Sequence, residues 1–384
     1  MTLLMLAGIV NPVAADNYTP VAGTTTTLTK YLVVPSDAEI PASTFSFSVS
    51  AGSAVEATAT TVKVWAGLNP SSVKVNSTAG TGTVTFTAGE TATAGTGAAP
   101  DNVATTKKFA TKTITLDFSD VNFPEPGVYR YLLTEAASTN AAITIDSQPV
   151  RTIDVYVVDN NGDLEVSGYA CYPGTMSAGA NIDGTDLTTK SDRFVNETET
   201  HNLTVSKTVT GNAGSKDQYF EFTVTIAGAG NGTVLTLDMS GAETSTHENS
   251  ATSFAKASMD AANARDDDTG ASAKAGQQII CDASGGATVT AYLHHGQQLV
   301  LKGLPKGATY TVAETAAAGY TTTGTVATAT AIDAADVTVA VTNNRTEITP
   351  TGVAIAAGSG LAIMAVAYVL FVSSSRKKAS RHQA

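Results

Sequence analysis

The chain repeats itself, and what it repeats is a charged residue inside an apolar strand pattern. Thr27–Leu32 reads Thr-Leu-Thr-Lys-Tyr-Leu, and Asn202–Val209 reads Asn-Leu-Thr-Val-Ser-Lys-Thr-Val. Each is followed by a strictly alternating stretch, Phe45–Val49 in one case and Phe220–Ile226 in the other. Two more pairs match in the same order: Val128–Glu135 (VYRYLLTE) with Ala308–Glu314 (ATYTVAE), and Arg193–Asn196 (RFVN) with Val339–Asn343 (VAVTN). Period-two alternation marks half-buried strands, whose side chains point to opposite faces in turn. Parity therefore says which polar residues are driven into a core. Lys30 shares a face with Leu28 and Leu32, and Lys207 with Leu203, Val205 and Val209. Glu135 falls in line with Tyr129, Tyr131 and Leu133, and Glu314 with Tyr310 and Val312. Asn196 follows Phe194 by two, and Asn343, rather than its neighbour Asn344, continues the row Val337, Val339, Val341. Whatever the chain folds into, it has to bury one Lys, one Glu and one Asn twice over.

The repeat divides the chain into domains at about 24–198 and 199–346, separated only by Glu197, Thr198, Glu199 and Thr200, with no Gly or Pro to loosen the joint. Abundant Thr and Val, with only 15% charged residues, favour pleated strands and an all-β fold of two tandem Ig-like sandwiches. Asp159–Asp163 (DNNGD) reads as a hairpin turn rather than a calcium loop. The Ala-, Ser- and Asp-rich stretch 241–286 reads as an extended loop with at most one short helix, and its Asp266–Asp268 run as a solvated charge cluster.

The two ends give the topology. Residues 1–15 have the apolar core and small residues of a secretory signal, without the basic residues that usually precede it. Val353–Val372 is an unbroken apolar stretch of about bilayer length, followed at once by Arg376, Lys377, Lys378 and Arg381. That charge holds the tail in the cytoplasm and leaves the rest of the chain outside. The net charge of −12 becomes more negative without the basic tail, so the surface repels phosphate backbones and argues against nucleic acid. Cys171 and Cys281, one in each half, make no disulfide framework or metal motif. No metalloprotease, Walker, nucleophile-elbow or dinucleotide motif is present, and His294–His295 lacks nearby acidic partners. The sequence calls for no cofactor, no metal and no turnover catalysis.

The buried triads carry the chemistry. A lone buried ammonium or carboxylate costs several kcal/mol, and proteins relieve that by neutralising or pairing the group. Desolvation lowers a lysine pKa and raises a glutamate pKa, which yields a neutral amine beside a protonated acid. A neutral amine is a nucleophile and an Asn carboxamide an acyl centre, with the acid polarising the amide and shuttling the proton as ammonia leaves. The product is a Lys–Asn amide, formed once and without a partner. The competing reading of each triad is an ordinary buried salt bridge beside an amide.

Leu116–Glu135 (LDFSDVNFPEPGVYRYLLTE), LTKYL at the first Lys, RFVNE at the first Asn and LPKGATYTVAE near the second Glu carry a resemblance to a family. The chain resembles the streptococcal backbone pilins, whose FctA-like, Cna-B-type sandwiches carry self-made isopeptide bonds. That resemblance implies Lys30 bonded to Asn196 with Glu135 as catalytic acid, and Lys207 bonded to Asn343 with Glu314 in the same role. Residues 347–384 then look like a cell-wall sorting signal. Glu347-Ile-Thr-Pro-Thr-Gly352 departs from the common LPxTG pattern, and a sortase is expected to cut between Thr351 and Gly352. Lys190, six residues before Asn196, stands near where similar pilins carry the acceptor amine, whereas Tyr172-Pro173-Gly174 has Gly in place of the Lys of a YPK motif. The resemblance implies a secreted, wall-anchored pilus backbone. Its partners would be sortase, neighbouring pilin subunits and peptidoglycan, with the membrane engaged only in transit. The alternative is a wall-anchored adhesin or ancillary pilin that binds a host ligand.

Overall fold

The computed structural model describes residues 18–138, 140, 142–179, 190–238 and 277–347. The secretory segment 1–15, the acidic run Asp266–Asp268, Thr351, Gly352, the span 353–372 and the basic tail lie outside the described residues. Among the described residues no helix is long and apolar enough to cross a membrane. The expectation of an all-β chain holds: besides strands, the described residues contain one helical turn, the 3-10 segment Pro70–Ser72.

Four main sheets form two facing pairs. In the N-terminal half, one sheet runs in the order Asp163–Pro173, Val150–Asn160, Gly127–Glu135, Ser43–Ala51, Thr81–Phe86. The other places Thr25–Pro35 between Arg193–Thr198 and Lys107–Asp117. Their inner faces share one core, in which Leu28, Leu32, Ile114 and Phe194 from one sheet meet Phe45, Phe47, Tyr131 and Ile153 from the other. Phe47 and Phe194 touch edge to face across the gap, with ring centroids 5.2 Å apart. In the C-terminal half, Gln277–Ile280, Val234–Asp238, Gln298–Pro305, Thr200–Thr210, Val337–Asn344 and Thr321–Thr323 form a six-stranded sheet. It faces the four-stranded sheet Ala287–Leu293, Phe220–Ala227, Thr309–Glu314, Val326–Ala331 over a second continuous core.

Alternation in sequence becomes alternation in space. Thr81–Phe86 runs exposed, buried, exposed, buried along its length, and Phe220, Phe222, Val224 and Ile226 all point into the core. The Thr25–Pro35 strand is an exception that tightens the site, because Tyr31 and Val33 on its outer face are covered by Val103 and Phe109. Asn160 and Asp163 pair across a two-residue hairpin in which Asn161 (φ 58°) and Gly162 (φ 99°) are left-handed, as an Asn-Gly turn requires. The expectation of a continuous loop over 241–286 fails at its end. Gln277–Ile280 is an edge strand on Val234–Asp238, because Ile279 has an apolar core to enter. Between the Arg193–Thr198 strand and the Thr200–Thr210 strand only Glu199 intervenes.

Candidate functional site

In each half the Lys strand and the Asn strand are parallel neighbours in one sheet. Lys30 stands opposite Phe194 and Asn196 opposite Leu32, while Lys207 stands opposite Val341 and Asn343 opposite Val209. The offset is the same in both halves, with the Asn opposite the residue two places beyond the Lys. Even spacing puts both side chains on the core face. The glutamates come from the facing sheet: Glu135 ends the Gly127–Glu135 strand and Glu314 ends Thr309–Glu314. Each therefore reaches across the core to a Lys and an Asn on the opposite wall.

All six side chains are withdrawn from water. Lys30, Asn196 and Asn343 are 0% exposed and Lys207 1%. Both glutamate carboxylates are fully covered. Lys30 Nζ lies 3.0 Å from Glu135 Oε1 and 3.2 Å from Oε2. Asn196 Nδ2 donates to Glu135 Oε1 at 2.7 Å. In the second cluster Lys207 Nζ is 2.6 Å from Glu314 Oε2, and Asn343 Nδ2 donates to Glu314 Oε1 at 2.5 Å. Aromatic rings close the remaining sides: Lys30 Nζ sits 4.7 Å from the Phe45 centroid and Lys207 Nζ 4.1 Å from that of Phe220. Asn343 is the buried member of its pair, and Asn344 is exposed.

Burial moves the protons. Loss of hydration lowers the Lys30 pKa to about 8 despite the opposing pull of Glu135. Loss of hydration also raises the Glu135 carboxyl above the usual carboxylate range. The Lys207 ammonium is lowered by the same cause, with Glu314 holding part of it back. At pH 7 a pKa of about 8 leaves on the order of a tenth of the Lys30 amine uncharged. A nucleophile, an acid and a carboxamide thus meet in a dry enclosure, with the charge balance shifted toward the reactive forms.

One detail differs from the sequence reading, which had the acid polarising the amide oxygen. The backbone N–H of Asp146 donates to Asn196 Oδ1 at 2.8 Å. A backbone N–H can only donate, so it fixes the oxygen on its own side and turns Nδ2 toward Glu135. The glutamate stands at the amide nitrogen. Asn343 Oδ1, in contrast, has no hydrogen-bond partner among the described residues. Sequence reasoning passed over Asp146, which lies between repeat motifs where alternation gives no guidance. It also passed over Arg151, whose parity with Ile153, Val155 and Val157 was a usable signal for an inward charge.

Lys190 is exposed and precedes the Asn196 strand, with the Ser191 N–H held on the Cys171 carbonyl at 2.9 Å. Cys171 and Cys281 are both free thiols. No group of three or more His, Cys, Asp or Glu among the described residues could hold a metal ion.

Two facing sheet pairs, each with a Lys and an Asn on its first and last long strands and a Glu reaching them from the facing sheet, define the class: an all-β protein of two sandwich halves with a buried Lys–Glu–Asn cluster in each. Residues 26–199 match the family model FctA, described as the Spy0128-like isopeptide containing domain. Residues 201–345 match a domain of unknown function, DUF7601. A crystal structure of the major pilin from Streptococcus pyogenes is similar at 20% identity and a TM-score of 0.51, covering 85% of this chain and 100% of that one. A mutant form of that pilin gives 20% identity, a TM-score of 0.50 and the same coverage. A pilus-presented adhesin, Spy0125, aligns at 22% identity over 53% of this chain and 39% of its own, with a TM-score of 0.26, too low to bear on the fold. The search of curated proteins returned no match. The resemblance to streptococcal backbone pilins read from the sequence therefore holds at the level of domain family and fold.

Proposed function

We propose that the chain is a structural subunit of a sortase-assembled pilus, displayed at the cell surface and stabilised by one self-made Lys–Asn amide in each domain. The observation that carries this reading is the same triad, at the same strand offset, built twice from strands far apart in sequence. An ordinary salt bridge needs no carboxamide beside it, yet each glutamate accepts from a Lys and from an Asn at once.

In the reaction the uncharged Lys30 Nζ attacks Asn196 Cγ, and a C–N bond forms. The C–Nδ2 bond breaks as Glu135 passes a proton from the incoming amine to the departing nitrogen, which leaves as ammonia. One amine proton stays on the new amide, and Glu135 is regenerated. Lys207, Glu314 and Asn343 take the same parts in the second domain. Each bond joins the first long strand of a domain to its last, so almost the whole domain becomes one covalent loop.

Assembly follows the sorting signal expected at residues 347–384. A sortase cuts between Thr351 and Gly352, and Lys190 of the next subunit accepts the acyl group. The last subunit passes to peptidoglycan, and the membrane serves only before the cut. The domain boundaries of 24–198 and 199–346 belong to this proposal, in keeping with the strand that ends at Thr198 and the next that begins at Thr200.

Intact mass of the recombinant ectodomain tests the cross-links. The parent is expected to lack two ammonia equivalents, with one restored by Glu135→Ala and the other by Glu314→Ala. A parent at its full unmodified mass ends the cross-linking proposal. Immunoblots of wall extracts test the assembly: a ladder of SDS-resistant species that collapses in Lys190→Ala supports a backbone subunit. A single band in the parent favours the ancillary or adhesin reading.

A further inference from the structure

The oxygen of the first carboxamide is addressed by a built device. Asp146, whose N–H meets Asn196 Oδ1, is fixed from several directions. Its Oδ1 accepts the Gln148 N–H at 2.8 Å. Its Oδ2 accepts the N–H of Val195, the residue before Asn196, at 2.9 Å, and pairs with Arg151 Nη2 at 2.7 Å. Arg151 is itself 3% exposed. Its guanidinium carbon lies 4.4 Å from the centroid of Phe194, on the same strand as Asn196. It also donates to the carbonyls of Gln148, Val150 and Arg193. One carboxylate and one guanidinium therefore tie the segment after the Glu135 strand to the Asn196 strand, and the tie leaves an N–H aimed at the amide oxygen.

We propose that the Asp146 N–H is the oxyanion donor for the first cross-link, and that the Asp146 carboxylate and Arg151 are the positioning residues that hold it there. The inference rests on the cross-linking reading above. Attack by Lys30 Nζ drives an electron pair onto Asn196 Oδ1, and the negative charge stays there until the Cγ–Nδ2 bond breaks and ammonia departs. A preorganised donor aimed at developing charge in a water-excluded site is among the strongest catalytic devices, worth about 10²–10³ in rate where one donor has been removed. The second cluster lacks it, since Asn343 Oδ1 has no partner among the described residues. The same reaction runs there without that stabilisation, so the first domain closes before the second.

The test starts from chain recovered unfolded from inclusion bodies in denaturant, with an intact mass that shows neither ammonia lost. It is refolded at 25 °C, and samples are digested at intervals to assign ammonia loss to each domain by mass. In the parent, the peptide joining Lys30 to Asn196 is expected to accumulate ahead of the one joining Lys207 to Asn343. Asp146→Ala and Arg151→Gln slow the first reaction about ten-fold or more and leave the second at its parental rate. Asp146→Asn, which keeps an oxygen for one of the two N–H groups, recovers part of the loss.

A purely structural role is measured separately. In a Glu135→Ala background that forms no first bond, the same changes report only the shift in Tm. If they lower Tm but leave the refolding reaction rate unchanged, the positioning role is refuted. Closure of the second domain before the first overturns the proposal without any variant, so misfolding of one mutant does not shelter it. Absence of ammonia loss from both domains of the parent is a different result, which removes the cross-linking reading itself.

Discussion

Asn196→Ala separates the proposed Lys30–Asn196 bond from the ion pair beneath it. The variant deletes the acyl centre but leaves Lys30 Nζ on Glu135 Oε1 at 3.0 Å. What it removes is a loop running from Lys30 to Asn196, about 170 residues long, which in the chain-entropy account of cross-links corresponds to about 5 kcal/mol. The Asp146 N–H loses its acceptor as well, for a further cost of about 1–3 kcal/mol. In a domain of this size about 1 kcal/mol moves Tm by about 2–4 °C, so the lost loop alone lowers the first transition by about 10–20 °C. Differential scanning calorimetry of the ectodomain at pH 7 reads this directly, with intact mass confirming the missing cross-link. The second transition, governed by Lys207 and Asn343, stays where it is. A first transition within about 2 °C of the parent, in a parent whose mass shows both bonds, would refute the claim that the bond constrains the unfolded chain.

The same variant exposes the buried amine to titration. Burial holds the folded Lys30 pKa at about 8 against 10.5 for an unburied lysine. Between those values the unfolded chain binds the extra proton, so stability rises with pH across this window, and the urea midpoint of Asn196→Ala at pH 9.5 exceeds that at pH 7.5. In the reacting parent, the initial rate of ammonia loss from the first domain climbs from pH 6 toward about 8 as the amine sheds its proton, and a pH-independent rate contradicts it. Away from the triads, Arg130 grips Asp154 through two bonds of 2.7 Å at 0% and 1% side-chain exposure. Asp154→Ala leaves that guanidinium buried without its counter-ion and costs about 3–5 kcal/mol in equilibrium unfolding.

Parity alone located the inward faces. Lys30, Lys207, Asn196 and Asn343 point inward because each sits in an alternating row whose apolar members need the core, and the choice of Asn343 over Asn344 followed from one step of that alternation. Parity could not say which strands are neighbours or in which direction they run. The parallel pairing of Thr25–Pro35 with Arg193–Thr198, and the arrival of Glu135 from the opposite sheet, depend on contacts between residues more than a hundred positions apart. Asp146 was invisible for another reason: its role is played by a backbone N–H, which every residue but proline possesses. Gln277–Ile280 was hidden by its polar, small-residue surroundings, where only Ile279 and Ile280 hinted at a strand.

The parallel run of the first long strand beside the last, seen in both halves, decides how a tug is felt even before any bond closes. Antiparallel terminal strands would bring both chain ends to one pole, where tension peels hydrogen bonds apart in sequence like a zipper. Here the chain enters at one pole and leaves at the other, so tension slides the two strands past each other and all the rungs between them resist together in shear.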